Sequence, residues 1–299
     1  MKISDINFIW ENLTLANDFV FCHIMHDEKL CTEMIRRILP DYDIGHIEFT
    51  ESQRTSKHSP DSRGVRFDVY AKSDNRKIFD CEVQTSDKHD LPRRTRAYHI
   101  ATGLDVLGKD VIKRSGSYYD LPDVFVIFIC TFDPFHHDRH IYTFYNRCEE
   151  DNSIVLNDGA YTVFLNAKGK ADDVSPELKA FLDFIMGRTS DDPFVRELEE
   201  QLEVLKKDST YRRNFMLLLT REEEKVAEAR AEARAEGLAE GRGIGREEGI
   251  EEGREIGRAE GRAEAAEEYA EKIISFLDRL IAKGFSREEA IALLSGNIQ

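Results

Sequence analysis

Two acidic side chains on neighbouring strands can do chemistry that neither does alone. Val65 to Ala71 and Ile78 to Gln84 both alternate apolar and polar residues, the two-residue rhythm of half-buried strands, and the KSDNRK stretch between them holds the Asp, Asn and Ser that turns favour. The spacing predicts a hairpin. Side chains alternate across a strand, so Asp80, Glu82 and Gln84 share one face of the second strand. Arg66, Asp68 and Tyr70 likewise share a face of the first, opposite Val65, Phe67 and Val69. Where Asp68 and Glu82 point to the same side, their carboxylates repel, and a hard divalent cation that takes oxygen from both removes that cost. Such an ion activates water and neutralises charge building on a phosphoryl oxygen. The same spacing also suits solvent-facing acids on an amphipathic sheet, and by itself it does not decide between the two.

The elements that must position this hairpin are legible on either side of it. Residues 17 to 39 carry Phe21, Ile24, Met25, Met34, Ile35, Ile38 and Leu39 at helical spacing, with Asn17 or Asp18 as cap and Pro40 closing the segment, which predicts one or two helices. Residues 41 to 64 read as polar and turn-rich. Arg94 to Leu107 returns to helical spacing, Val124 to Thr131 reads as a strand buried on both faces, and Ile141 to Asn146 alternates again. Helix, hairpin, helix, strand, strand implies an α/β core with a mixed sheet flanked by helices. From Ser175 the chain turns helical and charged, which places the end of the core near residue 190.

Composition bounds the partners. The chain has 299 residues, with 42 Lys+Arg against 58 Asp+Glu and a net charge of -16. The charge is uneven: residues 1 to 148 carry net -3 and residues 149 to 299 net -13. Basic clusters in the first half (Arg54, Lys57, Arg63 and Arg66; Arg93, Arg94 and Arg96; Lys109, Lys113 and Arg114) can meet phosphates or simply face water. The longest apolar run, Val124 to Cys130, is far below the roughly 20 residues that cross a bilayer. The five cysteines show no C-x-x-C spacing. A soluble, cytoplasmic protein without disulfides is expected. His136, His137 and His140 lack the companions of a zinc site, and neither a nucleophile elbow nor a glycine-rich triphosphate loop is present.

FDVYAKSDNRKIFDCEVQ resembles the core of the PD-(D/E)XK nuclease superfamily, and in particular the recombination-promoting nuclease and putative transposase family, with an Asp on one strand and E-x-Q on the next. The likeness continues through LPRRTRAYHIATGLDVL, DLPDVFVIFICTFDPF, IYTFYNRCEE and LNDGAYTVFLNAKGKADDVSPEL, and back to NDFVFCHIM, over roughly residues 15 to 195. The resemblance implies a restriction-endonuclease-like fold with Asp68 and Glu82 as ligands of Mg²⁺ (or Mn²⁺ or Ca²⁺), a Cys81 or Val83 carbonyl as a further ligand, and Asp18 reaching the ion through water. Gln84 stands where the wider superfamily has Lys and offers hydrogen bonds in place of charge. Cys22 stands where this family has a helix Lys. Arg96 and Tyr98 match the family's Arg and Tyr, and His99 replaces a common Gln. With Arg93 and Arg94 they form the expected DNA-contacting set.

Gly237, Gly241, Gly245, Gly249, Gly253, Gly257 and Gly261 recur at a strict step of four among Glu and Arg, a stripe that winds slowly around a helix. Each costs roughly 1 kcal/mol against Ala, so the helix is marginal alone. It is either a solvated spacer or a surface that pairs with a copy of itself. Beyond it two short amphipathic helices are expected around Gly284, the second capped by Ser286 with Glu289 completing a capping box. The expected organisation is a nuclease-like domain over 1–192, a charged helical connector over 193–236, the repeat over 237–265 and a helical hairpin over 266–299. The expected activity is metal-dependent cleavage of DNA with little sequence preference, serving recombination, mobile elements or defence, in a homo-oligomer joined through its C-terminal helices. The rival is a DNA- or partner-binding protein on the same fold with weak or no catalysis.

Overall fold

The computed structural model describes residues 3–56, 65–108 and 117–296. Lys57 and Arg63, and Lys109, Lys113 and Arg114, lie outside the described residues. Six strands form one mixed sheet: β1 (Ile47–Ser56), β2 (Val65–Ser73), β3 (Lys77–Gln84), β4 (Asp123–Cys130), β5 (Ile141–Phe144) and β6 (Ala160–Asn166), in the order β1-β2-β3-β4-β6-β5. The first three are antiparallel, β3, β4 and β6 run parallel, and β5 returns antiparallel at the far edge. Two of these strands depart from the sequence reading. β1 lies inside the stretch read as turn-rich, because IEFTESQRTS is an edge strand with little apolar patterning. β6 was not expected as a strand of its own, and it inserts between β4 and β5.

The segment 17–39 forms two helices, α2 (Asp18–Ile24) and α3 (Glu28–Ile38), after a short α1 (Ile3–Glu11). Asn17 caps α2 by accepting from the Phe19 and Val20 N–H groups, and Asp27 caps α3 through Lys29 and Leu30. The second cap is what divides one apolar pattern into two helices. Both pack on the hairpin side of the sheet. On the other side α4 (Leu91–Gly108) crosses β2 and β4, burying Tyr98, Ala101 and Val106 against Tyr70, Ile78, Val126, Phe128 and Phe164. β4, apolar at nearly every position, is the strand buried on both faces.

Two further helices close the α3 side, α5 (Pro176–Ile185) and α6 (Pro193–Lys207). The largely covered Arg37 side chain reaches both. Its guanidinium donates to Asp192 Oδ1 at 2.9 Å, to Glu33 Oε1 at 3.0 Å and to the Glu177 carbonyl at 2.9 Å, and it lies 4.6 Å above the Phe194 ring. Asp192 is also the cap of α6. The chain divides into a unit over 1–218 and a second over 219–299, with helix α7 (Ser209–Ala282) running through both sequences. In the first unit Phe215 of α7 packs between Trp10 and Phe19. In the second, the seven repeat glycines lie in regular helix, and a Cβ at any of them would meet open space. Ser286 and Glu289 form the expected capping box on α8 (Arg287–Leu294).

The double role of Asp192 separates two costs. Asp192→Asn retains the cap and leaves Glu33 as the carboxylate partner of the guanidinium, a loss of about 1–3 kcal/mol. Asp192→Ala removes the cap as well and is expected to cost about 1 kcal/mol more. Urea unfolding of the two variants beside wild type checks the order.

Candidate active site

Glu82 is the centre of the site. It is almost wholly buried on β3, and its two oxygens take bonds from different elements: Oε1 accepts the Asp68 backbone N–H at 2.7 Å, and Oε2 accepts the Tyr98 hydroxyl of α4 at 2.9 Å. β2 pairs with β3 from Val69 to Lys72, and at Asp68 the Glu82 side chain takes a backbone donor that would otherwise serve the ladder. The strict alternation expected for β2 therefore fails. Phe67, expected on the face opposite Tyr70, packs edge-on to both Tyr70 and Tyr98 under α4, ring centroids 5.5 Å from each.

Asp68 is buried beside Glu82. Its Oδ2 accepts from the Val83 N–H at 3.3 Å, and its carbonyl accepts from the Cys22 thiol at 3.2 Å. Cys22 thus ties α2 to the backbone of β2. Asp18 lies one turn earlier on α2, on the same helix face, with its carboxylate on the Phe19 N–H at 2.7 Å.

A third carboxylate completes the group. Asp80 is fully buried on β3 and sits on the Glu82 face, a placement read from the sequence without a role. Counted as two carboxylates, Asp80 and Glu82 have no donor between them, and both Asp80 oxygens are left without a partner. A proton on Asp80 supplies one, as a hydrogen bond to Glu82. Burial, then the charges of Glu82 and Asp68, push the Asp80 carboxyl well above the ordinary carboxylate range. Burial and the Asp68 charge push Glu82 up as well, against the opposing pull of the Asp68 N–H, Tyr98 and Arg94.

Arg94 is the cation that α4 brings to this group. Its Nη1 donates to Gln84 Oε1 at 2.8 Å, its Nη2 donates to the Tyr98 hydroxyl at 3.1 Å, and Nη2 stands 3.9 Å from Glu82 Oε2. The guanidinium lies 5.7 Å from the Tyr98 ring and 5.6 Å from the Phe128 ring. Of the other side chains expected on α4, Arg93 and Arg96 are exposed. Two residues turn a helix by about 200°, so Arg96 leaves α4 away from Arg94. His99 faces β6, its Nε2 3.0 Å from Thr162 Oγ1, and burial holds its imidazole below the usual histidine range. The structure thus joins Asp68, Glu82, Gln84, Tyr98 and Arg94 in one network and leaves Arg93, Arg96 and His99 outside it.

The donor set fits a hard divalent cation. Three carboxylates face one guanidinium, so when all are ionised the cluster carries the charge that such an ion neutralises. Among the described residues no three His, Cys, Asp or Glu side chains form a ready-made cage. Asp68 and Glu82 with waters would hold the ion in the manner usual for Mg²⁺.

A sequence model of the family described as PD-(D/E)XK nuclease family transposase matches residues 15–236, more than half of the chain. No curated protein and no solved structure matches it. Among the described residues no helix is long and apolar enough to cross a membrane.

The raised carboxyls fix the sign of the pH dependence. A group that titrates higher in the fold than in the unfolded chain stabilises fully at low pH, and that stability is lost as pH rises through the folded value. Without divalent metal the protein is expected to lose stability as pH climbs from about 4 into the neutral range. Mg²⁺ or Mn²⁺ should raise the melting temperature more at pH 8 than at pH 5.5, and Asp80→Asn should flatten the metal-free slope. Thermal melts across pH with and without EDTA check all three.

Proposed function

The chain belongs to the PD-(D/E)XK nuclease family transposases, and on that footing we propose that it is a metal-dependent endonuclease that hydrolyses phosphodiester bonds in DNA with little sequence preference. Family membership supports a nuclease or transposase-like function. The observation that carries the finer reading is the burial of Asp68, Asp80 and Glu82 together, an arrangement that costs stability unless a cation or a proton enters it.

Asp68 and Glu82 hold the ion, Mg²⁺ in preference and Mn²⁺ or Ca²⁺ as substitutes. When bound, it supplies Lewis-acid stabilisation of the phosphoryl oxygen and a more acidic water. The protein's own part is positional. The Asp68 N–H and Tyr98 hydroxyl fix both oxygens of Glu82, so its free lone pairs are directed before any ion arrives. Cys22 holds the backbone of Asp68, and Asp18 sits one turn away on the same helix face. Arg93 and Arg96, exposed on α4, and His99 are proposed to meet the DNA backbone beyond the site. The activity would serve recombination, mobile elements or defence in a bacterial cytoplasm, and the C-terminal helices would join copies of the chain.

A second reading, a DNA-binding protein with weak or no catalysis, is favoured by Gln84, which brings no charge of its own to the site. Cleavage of supercoiled plasmid separates the two. Wild type is expected to nick DNA with Mg²⁺ or Mn²⁺ and not with EDTA, while Asp68→Ala and Glu82→Ala show no cleavage above background yet still shift DNA on a gel. Equal behaviour of wild type and both variants across all ions, with wild type still shifting DNA on a gel, would establish the binding protein instead.

A further inference from the structure

A phosphodiester entering a nest of carboxylates is repelled, and a metal ion on one side leaves the charge that develops on the phosphate uncompensated on the other. A fixed positive group and a hydrogen-bond donor on that side are what the chemistry asks for. β3 offers Gln84 there, half-exposed at the open end of the strand and two residues beyond Glu82, with a polar side chain and no charge.

The orientation of Gln84 is set by Arg94. An amide has one oxygen that accepts and one nitrogen that donates, and the Nη1 of Arg94, 2.8 Å away, can only donate. A flipped amide would set two donors against each other. The Gln84 oxygen is thus committed to the guanidinium, and its two N–H donors point away from it. Arg94 itself is held in place by Gln84, by the Tyr98 hydroxyl and by the Tyr98 and Phe128 rings, with about 30% of its side chain exposed to anything entering the site. A planar guanidinium makes these contacts at once, whereas a lysine ammonium makes one or two.

We propose that Arg94 and Gln84 work as one unit: Gln84 gives its N–H donors to the attacking water or the phosphate oxygen, and Arg94 supplies the positive charge and holds the amide in that orientation. Gln84 touches the reacting atoms, and Arg94 is a positioning residue that acts through it and through its field. The inference rests on the nuclease reading above and assigns a division of labour within that site.

Compensation tests it. Arg94→Ala is expected to lower the rate constant for plasmid nicking about a hundred-fold. Adding Gln84→Lys to Arg94→Ala places a charge and donors on residue 84 and should recover at least ten-fold of that loss, whereas adding Gln84→Ala recovers none. Arg94→Lys, which keeps charge but loses the fork, should fall between. Circular dichroism and melting temperature show whether each variant folds. In wild type the side-chain amide pair of Gln84 should give sharp, well-dispersed ¹⁵N–¹H signals that collapse toward free-amide positions in Arg94→Ala, a change that loss of packing elsewhere would not confine to one amide. A wild type that cleaves nothing overturns the nuclease reading and this inference together. A wild type that cleaves, with Arg94→Ala unaffected or with no recovery on adding Gln84→Lys, overturns this inference alone.

Discussion

Three carboxylates buried side by side are the constraint around which the site end of the sheet is arranged. Asp68, Asp80 and Glu82 are each nearly or wholly removed from water, and mutual repulsion adds to the cost of burial. Each nearby element supplies part of the relief. β2 turns its Asp68 N–H to Glu82, α4 brings the Tyr98 hydroxyl and the Arg94 guanidinium, and α2 fastens the Asp68 carbonyl through Cys22. The rest of the core makes those placements rigid. Phe128 of β4 lies beneath both Tyr98 and Arg94 and stacks in turn on Phe164 of β6, so the position of the Arg94 guanidinium is fixed in part by two strands that carry none of the acids.

How much of this was legible in the sequence follows from the strength of each local signal. The hairpin, the shared face of Asp80, Glu82 and Gln84, and the buried β4 stand out because alternation and apolar runs are direct consequences of strand geometry. β1 was hidden because an edge strand has little to bury, and β6 because AYTVFLN sits within a long stretch between two turn signals and shows no alternation. The Phe67 face was misread since the break comes from a side-chain bond across the hairpin, which no local pattern encodes. On α4 the sequence shows Arg93, Arg94 and Arg96 as equals, and only the phase of the helix against β3 singles out Arg94. That phase depends on Leu91 and Tyr98 both facing the sheet, a tertiary fact.

The second half of the chain follows a different economy. The family match ends at residue 236, immediately before the first repeat glycine at 237. In the helix that follows, none of the seven glycines has a neighbour that a Cβ would touch, so crowding inside this chain does not explain them. Their low helix propensity persists without any packing gain in the single chain. Net charge follows no such boundary, since residues 1–236 carry 33 Lys+Arg against 44 Asp+Glu.

Gln84 shows how the same constraint reaches the chemistry. A lysine at that position would stand beside Arg94, and two cations 3 Å apart would repel as the carboxylates do. A neutral amide avoids this, accepts one of the guanidinium donors and keeps two donors of its own. The charge is moved by one side chain, to a residue that is also bonded to Tyr98 and so indirectly to Glu82. Charge, orientation of the amide and orientation of the Glu82 carboxylate then depend on one guanidinium. Its removal would be felt at all three places at once, which is why the contributions of Arg94, Gln84 and Tyr98 should be strongly non-additive.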